Sequence, residues 1–366
     1  MNVTIEKSVL VDALSRAVDA CAAGPVPILR HVLLETFGES RLRLIGTDTK
    51  VTLETSVGAV VETPGQTAAP GRELYSMVRL LPAGDVTLSM DGGELLGAQL
   101  VVTCGGARNV VSCLSASDFP RPSVEVESQS LIPGDMLAEL LSLSLPFTDK
   151  PGGGRDFDTI WLHKTDDGVR AVSTDGNNGL TLPRELDGWE LHDLALPAVA
   201  CASLAKFAAG GSWSVGATEA VVCFRREFDT VTYTMVAVPR PDIDAFIPTT
   251  WRTRVFVDRA ALLGALKRAG GIQDAGHTRV RLVLTGDAVQ VSSKSPTSRF
   301  GETLDAEVEN DGTGLTIETS YQGLVRACSI HGGEQVEVRF GESTTPIVFA
   351  GKGTDRAVVS PMHLEG

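Results

Sequence analysis

The chain has 366 residues, 32 of them Lys or Arg and 46 Asp or Glu, for a formal net charge of −14. With 43% hydrophobic and 21% charged residues it carries ordinary core material, which excludes global disorder. Its length exceeds the roughly 250–300 residues that one core holds, so two or three domains are expected, and its acidity excludes wholesale coating of nucleic acid while permitting a localised basic surface.

In chain order, the N-terminus Met1-Asn2-Val3-Thr4-Ile5-Glu6 has no basic segment followed by an apolar one, so no secretory leader is expected. An apolar stripe of Val9, Leu10, Ala13, Leu14, Ala17, Val18 and Cys21 predicts a first helix. Alternating residues 32–35 and 41–44 predict strands. A second helix over 72–81 stops at Pro82-Ala83-Gly84, where glycine suits the left-handed terminating residue, and a strand over 86–89 precedes the turn Asp91-Gly92-Gly93. The proline-rich stretch Phe119-Pro120-Arg121-Pro122 is a connector.

The pattern then restarts. Met136, Leu137, Leu140, Leu141 and Leu145 predict a helix, 159–162 a strand before the turn Asp166-Asp167-Gly168, 198–209 a helix ending at Gly210-Gly211, and 213–215 a strand. Pro239-Arg240-Pro241-Asp242 is a second connector. A third round has a stripe of Ala261, Leu262, Ala265, Leu266 and Ala269, a strand over 280–283, the turn Thr285-Gly286-Asp287, a helix over 321–330 ending at Gly332-Gly333, and a strand over 336–340. Aligning Leu10, Leu137 and Leu262 gives offsets of 127 and 125, and Gly84, Gly211 and Gly333 lie 127 and 122 apart, against 122 for a third of the chain. The chain reads as three similar α+β units, with limits at 1–122, 123–248 and 249–366, each packing two helices on one face of an antiparallel sheet.

Catalytic and metal motifs are missing. Cys21, Cys104, Cys113, Cys201, Cys223 and Cys328 include no C-x-x-C pair, and the six histidines have no H-E-x-x-H spacing, so buried reduced thiols and no metal are expected. Gly351-Lys352 lacks the earlier glycine and the following Ser or Thr of a phosphate loop, and Gly210-Gly211-Ser212-Trp213-Ser214 lacks the last glycine of a nucleophile elbow. Asp48 and Asp175 recur at matching places, which fits a repeated turn better than a general base. The longest nearly apolar run, 194–205, is too short to span a bilayer, so no membrane partner and a soluble, cytoplasmic protein are expected.

The stretches Pro27-Ile28-Leu29, Gly46-Thr47-Asp48, Asp118-Phe119-Pro120, Ser173-Thr174-Asp175-Gly176, Pro241-Asp242 with Ile247-Pro248, and Val358-Val359-Ser360-Pro361-Met362, in this order and spacing, resemble the bacterial DNA polymerase III β subunit, the sliding clamp. The resemblance runs along the whole chain. It implies a non-catalytic processivity factor without cofactors: a head-to-tail homodimer whose six clamp domains close as a ring around double-stranded DNA, helices lining the hole and sheets outside. Enclosure would supply the persistence, and Lys and Arg on the helices a weak attraction for phosphates of any sequence. The matching candidates are Lys7, Arg16, Arg72, Arg79, Lys206, Lys267, Arg268 and Arg326, with Arg155 in a glycine-rich loop; for each, a solvated helix face or turn is the alternative. The lining is thinner than is usual in the family, since 133–146 has no basic residue and Ala198-Val199 stands where a basic pair is common.

The resemblance also implies a groove that takes short linear peptides from the DNA polymerase III catalytic subunit, other polymerases and the clamp-loader ATPase. Its matching positions are Asp158, Thr174, Gly176, Asn177, Asn178, Gly179, Pro241, Phe246, Val358, Ser360, Pro361 and Met362. Asn177-Asn178-Gly179 replaces a typical His-Arg-Leu, removing an apolar wall and a long covering stem. Dimerisation would bring Arg108 and Asn109 of an edge strand against Ile272 and Glu302, with Arg108 and Glu302 as an ion pair. A divergent paralogue serving a specialised polymerase, or substituting for the main clamp, is the alternative reading, and an enzyme is disfavoured.

Overall fold

A computed structural model describes residues 1–91, 98–121, 126–149, 157–272, 279–310 and 312–362, and a strand, a helix, four or five strands, a second helix and three or four strands follow one another three times along them. The first round is β1 (Asn2–Glu6), α1 (Lys7–Asp19), β2 (His31–Phe37), β3 (Arg41–Thr47), β4 (Val51–Gly58), β5 (Val60–Thr63), β6 (Gln66–Pro70), α2 (Gly71–Leu80), β7 (Asp85–Asp91), β8 (Gln99–Cys104) and β9 (Ala107–Ser112). The second is β10 (Ser130–Pro133), α3 (Gly134–Ser144), β11 (Thr159–Thr165), β12 (Gly168–Thr174), β13 (Asn178–Glu185), β14 (Leu194–Pro197), α4 (Ala198–Phe207), β15 (Ser212–Ala217), β16 (Val221–Arg226) and β17 (Asp229–Thr234). The third is β18 (Thr253–Asp258), α5 (Arg259–Gly271), β19 (Arg279–Leu284), β20 (Ala288–Lys294), β21 (Arg299–Glu309), β22 (Thr316–Ser320), α6 (Tyr321–Ser329), β23 (Gln335–Phe340), β24 (Ile347–Ala350), β25 (Arg356–Val359) and β26 (Pro361–Met362).

The helices and strands expected from periodicity are all present. A strand also precedes the first helix of every round, and these three (β1, β10, β18) escape the pattern because each buries only two or three side chains, such as Val3 and Ile5 in β1. Among the described residues no helix is long and apolar enough to cross a membrane.

The chain folds as two compact units, Met1–Ala138 with Gly188–Val236, and Glu139–Asp187 with Ala237–Gly366, so the middle round is shared between them. The first unit holds two antiparallel sheets, ordered β5-β1-β7-β8-β9 and β10-β15-β16-β17-β4-β3-β2-β6. The second sheet is continuous across two rounds because β17 pairs with β4, from Asp229 opposite Thr55 to Tyr233 opposite Val51. Leu10 and Leu14 of α1 and Leu74 and Val78 of α2 pack, fully buried, with Val3, Val86, Leu88 and Val102 of the first sheet and Leu34, Leu42 and Leu44 of the second. The two helices pack on antiparallel sheet as expected, and the pair carries enough apolar surface to be covered from both sheets, at about 1.5–3 kcal/mol per buried leucine. At Gly46 the approach is closest, since a Cβ there would lie 1.8 Å from the carbonyl oxygen of Ala17.

In the second unit the strands run β11-β12-β13-β25-β24-β23-β18-β21-β20-β19-β22-β26. Pairing of Asn178 with Val359 and Gly179 with Val358 joins second-round β13 to third-round β25. Beside this seam, Arg184 grips the Asp355 carboxylate with both guanidinium nitrogens, at 2.5 and 3.0 Å, and Asp355 is 1% exposed.

Candidate nucleic-acid and partner interfaces

The cations on the helices separate into two classes. Arg72 and Arg79 on α2 and Lys267 on α5 are exposed, and among the described residues none of them has a carboxylate within ion-pair distance; the Arg79 guanidinium lies 5.8 Å from the centre of the Tyr75 ring. The others are already committed. Arg16 donates to Asp12 at 2.5 Å and to both oxygens of Asp229 at 3.2 Å, and lies over the Phe207 ring. Asp229 is 8% exposed and also accepts from Thr55 Oγ1 and Arg226, so Arg16 is part of a buried network tying α1 to β4 and β17. Lys206 pairs with Asp19 at 2.6 Å, Arg268 is bidentate on Glu302 at 2.7 and 2.9 Å, and Arg326 pairs with Asp175 at 2.7 Å. Lys7 is half-buried and donates to the carbonyl of Leu81, anchoring the start of α1 to the end of α2. On α3 there is no basic residue, and Val199 on α4 is exposed. Arg155 lies outside the described residues.

Asp175 organises the peptide-site positions. Its Oδ1 accepts the backbone N–H groups of Asn177 and Asn178 at 2.9 and 2.7 Å, and its carboxylate also receives Asn178 Nδ2 and Arg326. Thr174 Oγ1 donates to the Asn178 carbonyl and accepts from Gly176 N–H, where a φ of +86° favours glycine. Thr47 and Asp48 make the same turn in the first round: Thr47 Oγ1 donates to the Val51 carbonyl and Asp48 Oδ1 accepts from Lys50 and Val51. The matched aspartates are thus turn-closing groups, as their repetition suggests.

This turn meets the C-terminal strands. Ser360 N–H donates to the Asn177 carbonyl, Thr319 Oγ1 to the Ser360 carbonyl, and β26 pairs with β22 through Thr319 opposite Pro361 and Glu318 opposite Met362. Thr174, Gly176, Asn177, Asn178, Gly179, Val358, Ser360, Pro361 and Met362 are therefore brought together, with Ser360, Pro361 and Met362 half-buried. Pro241 and Phe246 flank a segment whose Ile243, 6% exposed, reaches Gly179: a Cβ on Gly179 would lie 2.8 Å from Ile243 Cδ1. Sequence reasoning missed Ile243. Its side chain fills the space that a Cβ at Gly179 would enter, and the signal was an apolar residue directly after the connector Pro239-Arg240-Pro241-Asp242. Phe246 is 61% exposed, two residues beyond Asp244, which pairs with Arg170 at 2.5 Å. Asp158 is half-buried just ahead of β11.

Among the strand edges left open by the described residues, two carry the positions expected at a dimer contact. β9 pairs only with β8 in its sheet and exposes Arg108 and Val110, with Asn109 half-buried. Residues 299–305 of β21 pair only with β20, whereas 306–309 pair with β18 instead. Glu302 lies on this second edge, already engaged by Arg268, and the half-buried Ile272 caps α5.

The described cysteines are free, and burial pushes the thiols of Cys21 and Cys328 up to about 12 and those of Cys113, Cys201 and Cys223 upward as well, so none of these five is poised as a nucleophile. No group of three metal-ligating side chains is present among the described residues.

Residues 1–123 match the family model for the DNA polymerase III beta subunit, N-terminal domain, and residues 244–364 that for its C-terminal domain. The beta sliding clamp of Caulobacter vibrioides is 25% identical over 358 residues, spanning 94% of this chain and 95% of its own. That of Streptomyces coelicolor is 25% identical over 372 residues, spanning 96% and 94%. The solved beta subunit of DNA polymerase III from Thermotoga maritima superimposes with a TM-score of 0.90 over all of both chains at 21% identity.

Proposed function

Because the chain belongs to the family of DNA polymerase III beta subunits, the non-catalytic sliding clamps, we propose that it encircles duplex DNA and tethers polymerases for processive synthesis. Two copies join head to tail, β9 of each against residues 299–305 of β21 of the other, so that six domains with limits at 1–122, 123–248 and 249–366 close a ring. The observation that carries this reading is the threefold passage of helices and strands, with an open edge at β9 in the first round and another along residues 299–305 of β21 in the third, which a head-to-tail pair covers together. Arg108 of one copy then approaches a Glu302 that Arg268 already holds, a shared carboxylate at the joint.

DNA is held by closure more than by contact. Arg72, Arg79 and Lys267 supply the phosphate attraction, while Arg16 and Arg326 serve the fold. The turn at 174–179, the C-terminal strands and the segment around Ile243 receive apolar side chains of short peptides from the polymerase catalytic subunit and the clamp loader. The filling of the space at Gly179 by Ile243 also favours a second reading, a paralogue with its own peptide preference; peptides from the resident replicative polymerase that fail to bind would select it. The test of the main reading is primer extension on primed circular DNA with clamp loader and polymerase III core. Extension products lengthened by the protein support it, and products of unchanged length refute it.

A further inference from the structure

The outward face of the third-round sheet carries a feature that the clamp reading does not account for, although its Arg299, Phe300 and Gly301 lie on the strand edge proposed above for the joint. Along β19, Val280, Leu282 and Leu284 point into the core while Arg279 and Arg281 point out; along β20, Val289, Val291 and Ser293 are buried while Lys294 is exposed. Cross-strand pairing sets Glu318, Arg281, Ser292 and Gly301 in one row across four strands. In the neighbouring row Lys294 stands directly opposite Arg299, with Arg279 two residues along from Arg281. Long cationic side chains thus surround a stretch floored by a serine and a glycine. The result is a cavity of about 570 Å³ lined by Arg279, Arg281, Lys294, Arg299, Ser292 and Glu318, with Pro296 and Phe300 also contributing.

Among the described residues four cations line this cavity with one carboxylate, Glu318, which lies 3.7 Å from Arg279 and 2.6 Å from Arg281, in a chain whose net charge is −14. That carboxylate is 5% exposed and aligns Arg281, accepting from its Nε at 2.8 Å, so the guanidinium is fixed before any ligand arrives. Among the described residues Lys294 and Arg299 have no carboxylate within ion-pair distance, and like charges directly opposite on neighbouring strands are destabilising. An anion between them removes that cost. The volume lies within the range of small-molecule pockets and is far too small for a duplex. The cations come from three strands and converge from different directions, which suits the three terminal oxygens of a phosphate better than the two coplanar oxygens of a carboxylate.

We propose that this bowl binds a phosphate monoester or diphosphate of nucleotide size. It does not depend on the clamp reading. Two sources share the chemistry, a free nucleotide and the 5′-phosphorylated end of a single strand.

The test is fluorescence anisotropy of a fluorescently labelled ADP with the full chain at low salt. Binding that is displaced by inorganic pyrophosphate and weakened at least tenfold by Lys294→Glu is the expected result. Gly301→Leu gives a second variant: a Cβ at 301 meets nothing within 4 Å, so the new side chain enters the bowl without strain and blocks it. Lys294→Arg retains binding. Competition by a 5′-phosphorylated tetranucleotide but not its unphosphorylated form assigns a strand end, and competition by ADP alone assigns a free nucleotide. No binding, equal binding by both blocking variants with unchanged thermal unfolding, or displacement by a poly-glutamate peptide as effective as that by pyrophosphate overturns the proposal.

Discussion

Replacing Asp19 by Asn frees a cation without disturbing the fold. Asp19 ends α1 and its side chain is 33% exposed; Lys206, its partner at 2.6 Å, is 66% exposed. Pairs this exposed contribute ~0.2–1 kcal/mol, and a carboxylate at a helix C-terminus opposes the helix dipole, so the unfolding midpoint moves little. The liberated ammonium on α4 can meet one more phosphate, which steepens the slope of log K against log salt by about 0.9 per protomer. Between 50 and 200 mM salt the variant then loses about 3.5-fold more affinity per protomer than the parent. Anisotropy of a short labelled duplex over a salt series reads the slope directly. Two controls sharpen the result. Arg79→Ala flattens the slope by about 0.9 and leaves stability alone, whereas Arg16→Ala lowers stability through the buried Asp229 network and leaves the slope unchanged. An unchanged slope in D19N, or R16A flattening it as much as R79A, would refute the division into committed and available cations.

Three further outcomes are expected. Gly179→Leu drives its side chain into Ile243 and costs about 1–3 kcal/mol in chemical denaturation; Ile243→Ala recovers part of that loss in the double variant, and additive losses would show that the two side chains do not share the space. Asp355→Ala leaves Arg184 buried beside an exposed Glu139 and lowers stability by about 3–5 kcal/mol, measured as a fall in urea midpoint at constant m-value. Cys21 and Cys328, held up to about 12 by burial against an ordinary 9.0, keep their protons in the folded chain after the unfolded chain has lost them. Their contribution is complete below about pH 9 and disappears as pH rises towards 12, a slope of about 1.4 kcal/mol per unit per thiol that Cys21→Ala and Cys328→Ala flatten in alkaline denaturation.

Sequence periodicity carries most of this fold. Stripes such as Leu10, Ala13, Leu14 and Ala17 are buried as expected, and three rounds of helix and strand follow from them. What periodicity conceals is long-range pairing: β17 with β4 and β13 with β25 join different rounds into continuous sheets, and nothing local in Asp229–Thr234 or Arg356–Val359 encodes which edge each will meet. The same limit governs the candidate sites. Asp48 and Asp175 were legible as repeated turns because the turn is local, as their hydrogen bonds show. The commitment of Arg16 to Asp229, 213 residues away, and of Arg326 to Asp175, 151 away, decides which cations are available, and only the folded chain reveals it. Ile243 behind Gly179 is a third case, in which lost volume at one position is restored by a side chain 64 residues on.

Enclosure is most directly tested by loading the protein onto nicked circular duplex with a clamp loader, raising the salt until electrostatic contacts are screened, and cutting the circle once. The account predicts that protein stays on the intact circle at high salt and runs off within minutes of linearisation. Equal retention on cut and uncut DNA, or loss from the intact circle at the salt that releases a linear duplex, would contradict it.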